Sequence, residues 1–387
     1  MKILYSHRTR SADGQYVHIR ALTAALAARG VRVFMAGPDD FGEDAGERPL
    51  DARAGEDPWR RRLPRALHEI AELAYSLPAH ARLARAARAF RPDILYERYN
   101  LFHHAGAWLA RRRGLPFLLE VNASLSLERA GHGGLASPGL ACASERAIWR
   151  AADMALPVSL ALARLVEDAG VPPERIAVIR NGVERAFLEP ADPAPARARY
   201  GLEGKIVLGF AGFARDWHGL DRVLRYLAAR RRDDLVFLLV GDGPARASLE
   251  ALAGRLGVEG RFILAGVAQR EAMPGLIAAF DVALLPAATP YASPLKLTEY
   301  MALGRAIVAP DQANIRELVE PGCEALLAPP EDDGAFFAAL DALVDDADLR
   351  VRLGAAARAR VLRDELTWPA NAARVERLAA SLLERRS

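Results

Sequence analysis

Short, almost wholly apolar runs alternate along this chain with longer stretches in which apolar residues recur every three or four positions. The first run is Lys2 to Ser6. Ile19, Leu22 and Leu26 then repeat at helical spacing until Gly30, and Val31 to Met35 opens another run. The pattern predicts strand, helix, strand, because a strand covered on both faces is apolar throughout whereas a surface helix buries one stripe. Further strands are expected at Asp93 to Glu97, Pro116 to Val121, Met154 to Val158 and Ile176 to Ile179. Between Asn181 and Leu202 the alternation dissolves into a proline-rich stretch. It resumes with Lys205 to Gly212, Leu235 to Val240, Phe262 to Ala265, Val282 to Leu285, Ala306 to Ala309 and Ala325 to Leu327. The expected class is α/β, with two Rossmann-like doubly wound domains, 1–187 and 188–365, facing a ligand cleft with their strand C-terminal ends. A last helix within 366–387 is expected to fold back on the first domain.

Composition changes this picture little. A chain of 387 residues, 51% of them apolar, exceeds one compact core and suits two globular domains. The longest apolar stretches, such as Leu235 to Val240 and Val282 to Pro286, are too short to span a bilayer, and the N-terminus lacks a signal-peptide layout. A cytoplasmic protein is expected. Cys142 and Cys323 have no Cys or His at metal-ligand spacing, so neither a zinc site nor a disulfide framework is expected.

The formal charge of +3 divides into about +6 before residue 186 and about −3 after it. Trp59 to Arg91 carries eight arginines among Leu63, Leu67, Ile70, Leu73, Leu77 and Leu83. Peripheral docking on an anionic membrane is one reading of such a stretch. The preferred reading is the solvated face of two surface helices. Nucleic-acid binding is not expected, because no aromatic-rich basic surface accompanies the arginines.

The segment Ser293 to Gly304 carries the most chemistry. Ser293 is expected to cap a helix that begins at Pro294 and ends at Gly304, with Leu295 and Lys296 in its first turn. A cation there opposes the helix dipole unless an anion binds, so Lys296 and the free N–H groups suit a diphosphate. One turn on, Glu299 is placed to accept hydrogen bonds from sugar or ribose hydroxyls; a plain Lys296–Glu299 surface pair is the alternative. Gly212 to Gly219 follows the first strand of the second domain, where Arg215 and His218 are placed to stabilise a departing diphosphate. Gly14 and Gln15, after the first strand of the chain, are a weaker phosphate candidate. Gly241-Asp242-Gly243-Pro244 reads as a turn into a helix starting at Pro244, and Asp346-Ala347-Asp348 is rejected as a metal site.

Together these residues resemble the retaining glycosyltransferases of family 4, which have the two-domain GT-B fold. The likeness runs through Pro294-x-Lys296-x-x-Glu299-Tyr300-Met301-Ala302-x-Gly304, the Gly14 loop, Val178 to Val183, Trp217 to Asp221 and Val240 to Pro244. It implies a nucleotide diphosphate sugar donor held by Gly14, Gln15, Arg215, His218, Gly219, Val267, Leu295, Lys296 and Glu299. Within that set, Arg215, His218 and Lys296 would contact the diphosphate, Glu299 the ribose, and the backbone of Val267 the base. The acceptor, a sugar, a lipid-linked or a small molecule, would lie on the N-terminal side near Arg98, His104, Glu120 and Asn122. No metal or other cofactor is expected.

Two positions depart from the family pattern. Tyr291 stands where many members carry the first of two glutamates, and Arg98 stands nearest a customary histidine. A nucleotide-sugar-binding protein without transferase activity, and a GT-B epimerase, remain the alternatives.

Overall fold

The computed structural model describes residues 1–9, 14–37, 64–131 and 133–386. Its strands form two wholly parallel sheets. The first contains β1 (Lys2–Ser6), β2 (Arg32–Ala36), β3 (Ile94–Arg98), β4 (Phe117–Val121) and β5 (Met154–Pro157) in the order β2-β1-β3-β4-β5. The second contains β6 (Ile206–Ala211), β7 (Leu235–Val240), β8 (Phe262–Gly266), β9 (Val282–Leu284), β10 (Ala306–Pro310) and β11 (Leu326–Ala328) in the order β11-β10-β9-β6-β7-β8. Both are doubly wound orders, with helices returning each strand to the next.

The continuous apolar runs have their cause in the second sheet. Val236, Leu238 and Val240 of β7 enter the core on one face, and Leu235, Phe237 and Leu239 enter the core on the other. Neither face of the strand meets water, so no polar alternation survives.

The chain divides into a unit of Met1–Arg180, Tyr291–Ser293 and Trp368–Ser387, and a unit of Asn181–Pro290 and Pro294–Thr367. The division falls ahead of the expected 187/188 boundary because Val183 and Phe187 are buried in the second unit's core. In the first unit the helix Trp368–Glu384 packs along the helix Gly14–Ala28. The His18 ring meets the edge of Trp368 at 4.6 Å, Arg29 pairs with Glu376 at 2.7 Å, and Asn371 donates to the Arg180 carbonyl.

One expected strand is absent. Ile176 to Ile179 contributes only an isolated bridge from Ile176 to Ala155, with Ala177 and Ile179 donating to β5 carbonyls. The run follows Pro172 and Pro173, which start a 3-10 turn at Pro173–Arg175 rather than a helix feeding a full strand. No described helix is long and apolar enough to cross a membrane.

Candidate active site

The order of the second sheet reverses between β6 and β9, and such a switch point opens a crevice at the strands' C-terminal ends. The segments leaving those ends are Gly212 to Gly219 and the loop that enters the helix Leu295–Ala302. They carry the expected phosphate residues. Tyr300 fixes the helix to the sheet, its buried hydroxyl accepting the Ala211 N–H at 2.9 Å. One turn earlier on that helix, Lys296 extends over the Phe210 ring, with Nζ 3.8 Å from the centroid.

The helix starts one residue later than expected. Pro294 occupies the N-cap position and no side chain caps the first turn, so Ser293 does not serve as the cap. Proline has no side-chain acceptor to offer. Lys296 still lies in the first turn, beside N–H groups that no cap satisfies.

His218 is buried at the end of a short 3-10 turn, Asp216–His218, and its Nδ1 accepts the Arg215 N–H at 3.0 Å. A ring nitrogen that accepts carries no proton, so the neutral imidazole holds its hydrogen on Nε2. That nitrogen faces Lys296 Nζ at 3.4 Å. Burial, then the charges of Lys296 and Arg215, push the His218 pKa far below its ordinary value. Burial lowers Lys296 to about 7, against the opposing pull of Glu299. Two donors converge here and neither neutralises the other. An anion would satisfy both.

Glycines allow this loop to sit where it does. Gly212 has φ +132°, and a Cβ there would stand 3.2 Å from Lys296 Nζ. Gly241, with φ +129°, abuts the same loop so closely that a Cβ would lie 2.2 Å from the Gly212 carbonyl oxygen. Gly212 and Ala214 in turn donate to Val240 and Asp242. Gly241 to Gly243 is therefore a buttress for the β6 loop as well as a turn. The helix beyond it begins at Arg246, not Pro244.

The other expected donor residues are placed as follows. Gly219 adopts φ +67° and joins the 3-10 turn to the next helix, and Leu295 opens the lysine-bearing helix. Arg215 is exposed, its guanidinium 5.2 Å from the Phe213 ring centroid. Val267 is 48% exposed just past β8. Glu299 is buried, and its Oε1 accepts from Arg270 Nη2 at 2.6 Å. Burial raises its pKa, and Arg270 opposes that rise. The alternative of a plain Lys296–Glu299 surface pair is not what forms: Glu299 is buried and pairs with Arg270. No periodicity marks Arg270, which comes from the loop after β8. Gly14 and Gln15 are exposed at the start of the helix Gly14–Ala28, with Gln15 accepting from Thr9; Ser11 to Asp13 lie outside the described residues.

In the first unit the sheet reverses between β1 and β3. There Glu120 is buried and accepts from Tyr96 at 2.7 Å, from Arg98 and from Asn122, while His18 Nε2 lies 3.0 Å away. These donors and charges hold its carboxyl well below the usual range despite burial. His104 is apart from this cluster, its Nε2 2.9 Å from Ser144 Oγ. Tyr291 is buried in this unit's core, and its carbonyl accepts from Ser159 Oγ at 2.6 Å. Among the described residues no group of three His, Cys, Asp or Glu side chains forms a metal site, and Asp346 caps the helix Ala347–Arg363.

The signature described as "Glycosyl transferases group 1" matches residues 205–346, and "Glycosyltransferase Family 4" matches residues 12–187. The D-inositol 3-phosphate glycosyltransferase of Thermobispora bispora is 30% identical over 76% of this chain and 72% of its own length. The chain belongs to glycosyltransferase family 4. The alpha-D-kanosaminyltransferase of Streptomyces kanamyceticus is 26% identical over 63% of this chain, which spans just under two thirds, 65%, of that enzyme. Anabaena HepE, solved in complex with UDP, superposes with a TM-score of 0.74 at 19% identity over 98% of this chain and 100% of its own. That likeness is one of fold, GT-B, and agrees with the two sheet orders of this family 4 glycosyltransferase.

Proposed function

We propose that this glycosyltransferase takes a sugar, with retention of configuration and without a metal ion, from a nucleoside diphosphate sugar bound by its second unit. The observation that carries the reading is the pair of cleft-side nitrogens, Lys296 Nζ and His218 Nε2, 3.4 Å apart at a first helical turn and a sheet switch point. A leaving diphosphate gains charge as the glycosidic bond breaks, and preorganised donors favour that state over the ground state. Arg215 adds a cation at the exposed side. In this reading Gly14 and Gln15 meet the distal phosphate, Val267 the base and Glu299 the ribose.

Retention follows if the acceptor oxygen attacks the anomeric carbon on the face the diphosphate is leaving. The new C–O bond forms as the C–O bond to phosphate breaks, and the acceptor's proton passes to a diphosphate oxygen. No protein nucleophile is required. Arg98 and Asn122, held by Glu120, are the polar groups that would serve the acceptor side.

Peripheral membrane contact is a second, separate reading. It is favoured by the exposure of Leu67, Ile70 and Leu77, at 50%, 56% and 65%, near the exposed Arg85 and Arg88. The stretch Trp59 to Leu63 lies outside the described residues.

The test of the main reading is thermal unfolding with UDP, GDP, ADP and TDP, followed by donor turnover with and without a chelator. Binding to the native state raises its unfolding temperature by mass action. One nucleoside diphosphate should stabilise the protein, and turnover should persist in chelator. Activity abolished by chelator and restored by magnesium or manganese overturns metal independence.

A further inference from the structure

We infer that Arg270 is a positioning residue for ribose recognition, fixing the Glu299 carboxylate so that its second oxygen meets the ribose hydroxyls. This rests on the reading of Glu299 as the ribose-binding carboxylate.

The geometry confines the guanidinium on three sides. Nη2 donates to Glu299 Oε1 at 2.6 Å, and Nε donates to Glu184 Oε2 at 3.2 Å. The Phe187 ring lies 4.6 Å away against the planar group. Glu184 and Phe187 belong to the first turns of the second unit, so Arg270 ties them to the helix that carries Lys296. A planar fork held in this manner loses little freedom when it presents one N–H to a carboxylate. The carboxylate has two oxygens, and Arg270 engages Oε1, which leaves Oε2 to a vicinal diol.

The position of Arg270 in the chain adds a second argument. It stands three residues after Val267, at the start of the 3-10 turn Arg270–Ala272. The segment that offers backbone to a base therefore also holds the carboxylate offered to the ribose. Base and ribose selectivity share one loop.

Electrostatics supports the same role. Glu299 is buried, and burial favours its neutral form; the charge of Arg270 is the first influence opposing that shift. Without Arg270 the carboxyl protonates at a higher pH and loses its charge-assisted hydrogen bonds to the diol.

The experiment uses the full chain and calorimetric titration with whichever of UDP, GDP and ADP binds most tightly, alongside its 2′,3′-dideoxy form. The parent should prefer the ribose form by about tenfold or more, the scale of hydrogen bonds to a charged group. Arg270→Met should erase most of that preference, leave dideoxy binding within about a factor of two, and lose more ribose affinity as pH falls from about 8 to about 6. Arg270→Lys should restore part of it, and Glu184→Gln, which removes only the outer brace, should lie between Arg270→Met and the parent. Equal weakening of both nucleotides by Arg270→Met, or no weakening of either, overturns the positioning role. A parent that binds both forms equally removes the ribose reading of Glu299 itself, a distinct result.

Discussion

Lys296 Nζ stands 3.4 Å from His218 Nε2, and the Arg215 N–H on Nδ1 makes that histidine nitrogen a donor. The pair is poised for an anion, and Lys296 titrates near 7 in the free protein. A bound diphosphate raises that pKa, so above pH 7 binding must take up a proton. Affinity for a nucleoside diphosphate should therefore fall as pH rises from 7 to 9, with a slope approaching about tenfold per pH unit. The heat of binding at pH 8 should change with the ionisation enthalpy of the buffer. Lys296→Met should abolish both effects. Buffer-independent heats in the parent would refute the linkage. The sign for the free protein is opposite: its folded pKa is lowered, so this group's contribution to stability improves as pH rises from 7 toward the ordinary lysine value.

Lys296 and Glu299 share a helix and should differ in kind when altered. Lys296→Ala removes a group acting on charge that grows during reaction, and should lower turnover by about a hundredfold or more. Glu299→Gln should leave turnover closer to the parent and weaken nucleotide binding by about 1–3 kcal/mol. Steady-state kinetics with saturating acceptor, paired with calorimetry, separates the two. Parental turnover in Lys296→Ala would remove this helix from the donor site.

Two substitutions should destabilise the site without touching substrate. Gly241→Ala forces a methyl to 2.2 Å from the Gly212 oxygen at φ +129°, at a cost of about 1–3 kcal/mol or more. Tyr300→Phe strips the acceptor from the buried Ala211 N–H, at about 1–3 kcal/mol. Both should lower the thermal unfolding midpoint. An unchanged midpoint in either would contradict the contact it tests.

If the exposed Leu67, Ile70 and Leu77 meet lipid, the protein should co-sediment with anionic vesicles at low salt and detach as salt rises. Ile70→Asp should weaken the association. Equal, negligible binding to anionic and neutral vesicles would leave these helices as a solvated surface.

The strands were legible because burial on both faces writes an unbroken apolar run, as in Leu235–Val240. Lys296, Glu299 and His218 were legible because local spacing places them at a helix start and a strand end. Arg270 was not, since its partner Glu299 is 29 positions away and Glu184 is 86 away. Neither helical nor strand periodicity relates such distant residues. The role of Gly241 was hidden for the same reason: in sequence it reads as a turn, and only the fold brings the Gly212 carbonyl against it. The Ser293 cap failed more simply, because Pro294 took the capping position itself.

The assignment of Tyr291–Ser293 and Trp368–Ser387 to the first unit bears on how the protein can be dissected. A fragment cut as 181–367 would carry Tyr291 without the core that buries it. A fragment ending at Arg180 would strip the helix Gly14–Ala28 of its partner, the helix Trp368–Glu384, and Ser159 of its bond to the Tyr291 carbonyl. Neither half should be soluble when expressed alone, since each cut exposes apolar surface that the intact chain covers.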